Sequence, residues 1–441
     1  MSVIGNQMKI GAISLGCDKN RVDTEKMLAR LVASGHTLVG NEEDADVIIV
    51  NTCAFTDDAK SEAIDEILGA VEHKRHHKKK KIIVTGCLPQ RYMETLEKEF
   101  PQVDAFLGIA DYDGICDTVD KITKGDKIYG GACGDGFYGG RVLTTPYHYA
   151  YLKIADGCNN HCTYCAIPSI RGRYRSEKME DLLQEAKSLE KEGVKELILV
   201  AQDVTRYGID FDGKSHLVEL VNALSEMDFD LIRLLYLEPE AIDDDVIDMI
   251  VSNPKVAKYA DVPLQHIDGD TLKRMGRRAG EDYTRALIKK MREKGITLRS
   301  SFICGFPGES EEAHQKLVDF IGEGNIDYAG FFAYSREEGT PADRMGGHLD
   351  DEVKVERTNR LKDVQTEVIN RRNQQLVGKV IKVIYDEIDY DKQLFSGRAS
   401  FQAPDIDNIV YFTADKEVHI GEFYDVEIVG VDGIDLVGKA L

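Results

Sequence analysis

The chain predicts an α/β protein in three parts: a doubly wound parallel sheet, an incomplete (β/α)6 barrel and a small antiparallel β-barrel. Three observations carry this. Over the first third, short β-branched runs alternate with amphipathic helical patterns. The alternation resumes near residue 149 and gives six strand–helix units. Beyond residue 376 the helical period gives way to period two, broken by turn residues. A length of 441 residues agrees, since ~150 residues per domain suggests about three.

Composition narrows the class. With 42% hydrophobic and 30% charged residues the chain reads as an ordinary soluble globular protein. A formal net charge of −22 speaks against general nucleic-acid or membrane-surface binding and suits a basic partner. No apolar run approaches ~20 residues and no signal-peptide core opens the chain, so a cytoplasmic location is expected, without membrane association. Nine cysteines in a reducing compartment read as metal ligands and buried thiols rather than disulfides.

In the first part, the apolar runs 9–15, 46–50 and 81–85 read as strands buried on both faces. Between them, Leu28, Leu31 and Val32 mark one helical face, closed by Gly35. Ala59, Ala63, Ile64, Ile67, Leu68 and Val71 mark another. Cys17, Cys53 and Cys87 each sit just past the carboxyl end of a strand, the edge where such sheets bind ligands. A core cysteine is ordinarily an inert small hydrophobe. Three at one structural position point to a three-thiolate set. The basic run 73–81 is expected as a solvated loop, and residues 125–143 as a glycine-rich linker. Cys116 and Cys133 have no partner spacing and are read as structural.

In the second part, strands are expected at 149–154, 196–201, 231–237, 256–262, 297–304 and 328–334. Helical patterns lie at 179–192, 217–227 and 283–294. The site of such a barrel lies at the carboxyl ends of its strands. Past the first strand, Cys158, Cys162 and Cys165 stand at the spacing Cys-x3-Cys-x2-Cys. An odd number and short gaps argue against a disulfide framework, leaving an iron–sulfur cluster or a zinc knuckle. Three ligands without a nearby fourth would leave one iron of a four-iron cluster open for chemistry. Polar or glycine-rich segments follow the other strands, at Gln202 and Asp203, at Gln265, and at Gly305 and Gly308. Cys304 is expected to be buried packing. Residues 350–373 read as a closing helix, and 378–385, 394–400, 408–412 and 423–429 as the strands of the last barrel.

The cysteine loop, with Tyr164 before its last cysteine, resembles that of radical S-adenosylmethionine (SAM) enzymes. Two three-cysteine sets and a terminal β-barrel, in this order, resemble the methylthiotransferases of that class from end to end. The resemblance implies an N-terminal domain over 1–124, a linker over 125–143, a radical SAM domain over 144–375 and a TRAM domain over 376–441. It implies that Cys17, Cys53 and Cys87 hold an auxiliary 4Fe–4S cluster and that Cys158, Cys162 and Cys165 hold the SAM cluster. Tyr164, Gln202, Asp203, Gln265, Gly305 and Gly308 would surround SAM. A cation for the SAM carboxylate would come from Arg274, Arg277 or Arg278, which a solvated helix end explains as well. Residues 14–25 resemble the branch that modifies the β-carbon of an aspartate in small-subunit ribosomal protein S-twelve. Two SAM molecules, an external electron donor and a sulfur donor are implied. The same chemistry on a tRNA adenosine is the alternative. Charge bears on that choice: residues 376–441 carry thirteen Asp and Glu against six Lys and Arg, a net of −7, which suits a basic protein better than a phosphate backbone.

Overall fold

The computed structural model describes residues 7–130 and 140–441; Cys133 lies outside them. The chain divides into two compact units. One holds the described residues up to Thr144 together with Asp156–Asn160 and Cys165–Arg175. The other holds Thr145–Ala155, His161–Tyr164 and Ser176–Leu441.

The first unit is built on six parallel strands, β1 (Lys9–Ser14), β2 (Thr37–Leu38), β3 (Val47–Thr52), β4 (Lys81–Gly86), β5 (Ala105–Leu107) and β6 (Ile128–Tyr129). Their order is β2-β1-β3-β4-β5-β6. Every residue of β3 is buried, as a central strand covered on both faces requires. Helices α1 (Asp18–Ala33) and α4 (Ile115–Thr123) bury Met27, Leu31, Val119 and Ile122 in one apolar cluster. Helices α2 (Asp57–His76) and α3 (Cys87–Glu99) bury Ala63, Ile67, Ala70 and Leu96 in another. The doubly wound expectation therefore holds. The strip on α2 is narrower than its pattern suggested, because Ile64 and Leu68 turn outward and are exposed, as is Val32 on α1. The run 73–81 is only partly loop. His73–His76 completes α2, and Lys80 is buried, donating to the carbonyls of Glu42, Glu43 and Ala45 at 2.8, 2.7 and 2.5 Å. Strand β6 lies inside the expected linker and pairs with β5.

The second unit carries β7 (Tyr149–Lys153), β8 (Glu196–Val200), β9 (Leu231–Leu234), β10 (Tyr259–Asp261), β11 (Thr297–Cys304) and β12 (Tyr328–Ala333). They pair in parallel as β9-β8-β7 and β10-β11-β12, and a parallel bridge between Ile232 and Val256 joins the two sets. Six parallel strands thus follow chain order with helices between them. Helix α5 (Asp351–Gln374) then leads into a closed barrel of β13 (Val380–Asp389), β14 (Leu394–Ala399), β15 (Val410–Thr413), β16 (Phe423–Asp432) and β17 (Asp435–Ala440). That barrel is not wholly antiparallel, since β15 and β17 run parallel. Its core is Val383, Tyr385, Phe412, Val426, Ile428 and Leu436.

The terminal barrel packs on the amino-terminal ends of the parallel strands through a buried ionic network. Glu196 accepts from Arg233 and Arg398, each at 2.7 Å, and Arg398 also grips Asp386 at 2.7 and 2.9 Å. Tyr259 donates to Asp407 at 2.7 Å. Held so, the barrel leaves the carboxyl ends of the parallel strands to the chemistry. Among the described residues, no helix is long and apolar enough to cross a membrane.

Candidate functional site

In the first unit, the strand order places a switch point between β1 and β3, the crevice where open parallel sheets bind ligands. Cys17 follows β1 as the N-cap of α1, Cys53 follows β3, and Cys87 opens α3 after β4. Two cysteines therefore stand at helix N-termini, where the dipole favours a thiolate. The loops meet closely. Gly16 has φ +84°, and a Cβ there would stand 2.6 Å from Cys53 Cβ and 3.0 Å from its Sγ. Gly86, at φ +101°, leaves room for Asn51 and Thr52 in the same way.

Buried amides stitch the strand ends together. Asn20 donates to the carbonyls of Leu15 and Thr52 at 2.8 and 3.2 Å, and Asn51 donates to the Asn20 carbonyl at 2.9 Å. Thr52 donates to the Thr85 carbonyl at 2.7 Å. Burial first, then the Cys17 charge, raises Cys53. Burial pushes Cys87 up to about 12, with Cys53 and Cys17 adding to it and Arg171 opposing it. In the metal-free chain Cys53 and Cys87 thus resist ionisation, while the Arg171 guanidinium favours their thiolates, the form in which they would bind a cluster. Among the described residues, no three His, Cys, Asp or Glu side chains form a mononuclear metal site. A four-iron cluster spans more space than one ion and draws its thiolates from separate loops, as these three are supplied.

The loop after β7 holds the second set. Gly157, at φ +77°, lets the backbone pass against Arg173, whose carbonyl carbon would lie 2.7 Å from a Cβ. Cys158 donates its N–H to the Gly172 carbonyl at 3.1 Å. The sulfur of Cys158 accepts from the Asn160 N–H at 3.3 Å and that of Cys165 from the Ile167 N–H at 3.4 Å. Cys162 belongs to the second unit, where its sulfur accepts from Arg277 at 3.7 Å. Only six residues separate Cys158 from Cys165, so the three thiols share one short loop.

At the carboxyl ends of the second unit's strands, the other expected residues fall out differently. Tyr164 packs with Met275, Phe306 and Tyr334. Gln202 follows β8. Asp203 beside it caps a helical turn, accepting from the Thr205 N–H at 3.1 Å and pairing with Arg206 at 3.0 Å. Gln265 and Tyr236 hold φ of +69° and +64°, the left-handed region that non-glycine residues enter at a cost, and both lie on this edge. Gly305 donates to Glu309 at 2.8 Å. Gly308, at φ +76°, gives up the space of a side chain to the Arg274 guanidinium, which donates to its carbonyl at 3.0 Å. Arg277 is buried against Glu238 at 3.1 Å and the Pro263 carbonyl at 3.0 Å. Burial raises Glu238 to about 7 against the pull of Arg277.

Sequence reasoning gave no supporting role to Asn20, Asn51, Asp23, Asp156 and Arg171. Asp23 and Glu25 belong to the segment whose pattern suggested the protein-modifying branch. Asp23 pairs with Arg171 at 3.1 Å, and Glu25 accepts from Arg141 at 3.0 Å and from Thr144 at 2.8 Å. A buried charge needs a partner, and the sequence does not say which distant residue supplies it.

Residues 9–108 match the Uncharacterized protein family UPF0004, residues 152–321 the Radical SAM superfamily and residues 377–441 the TRAM domain. The radical SAM methyltransferase TsrM of Kitasatospora setae aligns with a TM-score of 0.57 at 14% identity, over 76% of this chain and 77% of that one, a likeness of fold. The match of residues 152–321 to the Radical SAM superfamily gives the class. The ribosomal protein uS12 methylthiotransferase RimO of Clostridium tetani is 44% identical over 438 residues, covering 98% of each chain. The protein of the same name from Lachnoclostridium phytofermentans is 44% identical over 439 residues, covering 98% of this chain and 100% of that one. The chain belongs to the RimO family of radical SAM methylthiotransferases. It is a transferase whose cofactors are 4Fe–4S iron–sulfur clusters and SAM.

Proposed function

We propose that this chain places a methylthio group on the β-carbon of an aspartate in ribosomal protein uS12, the S-twelve of the small subunit. It uses two 4Fe–4S clusters and two SAM molecules, one as methyl donor and one as radical source. The observation that carries the reading is the end-to-end 44% identity to proteins of that name, together with two sets of three thiols and no fourth in either. When bound, clusters and SAM supply the one-electron chemistry and the sulfur that no side chain provides for an unactivated C–H.

The chain's own residues hold and shield that chemistry. Cys17, Cys53 and Cys87 offer the auxiliary cluster three thiolates, and Cys158, Cys162 and Cys165 offer the SAM cluster three more. Tyr164, Gln202, Gln265 and Gly305 line the SAM pocket at the strand ends. Asp203 and Gly308 serve it indirectly, by fixing the turn at Thr205 and by seating Arg274. An external reductant and a sulfur donor complete the reaction, in the cytoplasm. The net charge of −7 over 376–441 supports a basic protein substrate over tRNA.

Mass spectrometry of uS12 incubated with reconstituted enzyme, sulfide, reductant and SAM tests the reading. The expected product gains a methylthio group on one aspartate. Methylthiolated adenosine in tRNA with unmodified uS12 overturns the substrate. Iron near four rather than about eight per chain overturns the two-cluster arrangement.

A further inference from the structure

Arg171 is a charged side chain that donates to a thiol of the Cys17, Cys53 and Cys87 set. It closes the short helix Ile167–Arg171, six residues beyond Cys165, and is buried. One guanidinium nitrogen donates to Asp23 at 3.1 Å and to both oxygens of Asp156 at 3.1 and 3.0 Å. The other donates to Asn20 Oδ1 at 3.2 Å and to Cys87 Sγ at 3.9 Å. Asp23 and Asn20 lie on α1, which Cys17 caps. Asp156 stands two residues before Cys158. A single planar fork thus meets a thiol of one set and, through Asp156, the chain entering the other.

A buried arginine held by two carboxylates beside one sulfur would be wasteful for packing alone, since buried ion pairs are a poor source of stability. Next to a cluster the same fork has a use. A cation and an N–H donor at a ligand sulfur stabilise the added electron of the reduced state, and hydrogen bonds to sulfur are a principal lever on cluster potential. Asp23 and Asp156 hold the fork in one orientation.

Resting on the proposed auxiliary cluster, we infer that Arg171 is a positioning residue for it, whose donation to Cys87 holds the cluster's reduction potential up. Lysine keeps a charge there but loses the fork; glutamine loses both.

The test uses the full chain with Cys158, Cys162 and Cys165 changed to alanine, so that only the N-terminal set can bind iron. About four irons per chain in that background is the result the parent reading requires; none overturns that reading by itself. Given iron, an EPR-monitored redox titration is expected to show the reduction equilibrium at least tenfold less favourable in R171Q, ~59 mV for one electron, with R171K between R171Q and the unsubstituted background. An unchanged potential in R171Q with iron retained overturns the inference. R171Q strands two buried carboxylates and risks misfolding, so a second measurement needs no glutamine. With guanidino-15N arginine incorporated, pulsed EPR of the reduced cluster is expected to show a 15N coupling that R171K abolishes. Absence of the coupling, or its persistence in R171K, overturns the inference.

Discussion

A buried histidine shows how much one side chain sets. His266 follows β10 and is fully buried, and its Nδ1 accepts the Asp268 N–H at 2.9 Å, which requires an unprotonated nitrogen there. Burial lowers its pKa to about 4, with Glu309 and Asp268 opposing and His314 and Arg357 reinforcing. The unfolded chain takes up this proton near 6.5, so between 4 and 6.5 the unfolded state binds more protons. Stability from this group is complete above 6.5 and is lost as pH falls through that window, at about 1.4 kcal/mol per unit. Urea unfolding of the iron-free chain is expected to lose about 2 kcal/mol more between pH 7 and pH 5 than H266N loses. Equal losses would show that His266 is not the titrating group. Nothing in the run of residues around 266 announced this role, because Glu309, His314 and Arg357, three of the groups that act on it, are distant in sequence. Cysteines were legible for the opposite reason. Their chemistry and spacing are local, whereas Arg171, Asp23 and Asn20 acquire meaning only once three strand ends converge.

At the scale of elements, the unit that matters is strand, tight glycine turn, cysteine, helix. It occurs after β1 and after β4, and each time a positive-φ glycine lets a neighbouring strand end come close. Gly16→Ala puts a methyl group 2.6 Å from Cys53 Cβ at φ +84°. The expected result is a chain less stable by about 1–3 kcal/mol whose N-terminal set fails to retain iron, read as iron and sulfide per chain falling by about half. Full iron content in G16A would mean that the loops approach by another route. Periodicity found the long elements because each buries a continuous stripe: β11 spans Thr297–Cys304, the bounds expected for it, and its burial alternates strictly. Strands β2, β5 and β6 have two or three residues each and no period to read; sheet pairing makes them strands. Strand β17 escaped for a related reason, since its parallel partner β15 lies before the β16 hairpin in sequence. The carboxyl-edge placement of both cysteine sets was legible, while the polar supports beneath them were not.

Across the whole chain, charge is distributed by task. Inside, Glu196 is fully buried between Arg233 and Arg398, and their attraction lowers its pKa despite burial. Removing its charge takes the hydrogen-bonded carboxylate from Arg233 and leaves Arg398 with Asp386 alone, so E196Q is expected to lose about 3–5 kcal/mol in denaturant unfolding. A loss under 1 kcal/mol would mean that the terminal barrel is held mainly by its apolar contacts. Outside, the terminal barrel presents acids. Glu422, Asp425 and Glu427 are exposed, the last two on β16. Exposed charges act at range by steering, and their reach shrinks to about 8 Å at physiological salt. If the partner is a basic ribosomal protein, Asp425→Lys with Glu427→Lys leaves the fold and both cysteine sets untouched but lowers the encounter rate. Association with uS12 at low salt is expected to slow by about tenfold in the double variant, and the gap to close as salt is raised. SAM cleavage without substrate should not change, which separates lost steering from a damaged site. Faster association of the double variant, or a rate indifferent to salt in both proteins, would remove charge from the account of how this surface selects what it modifies.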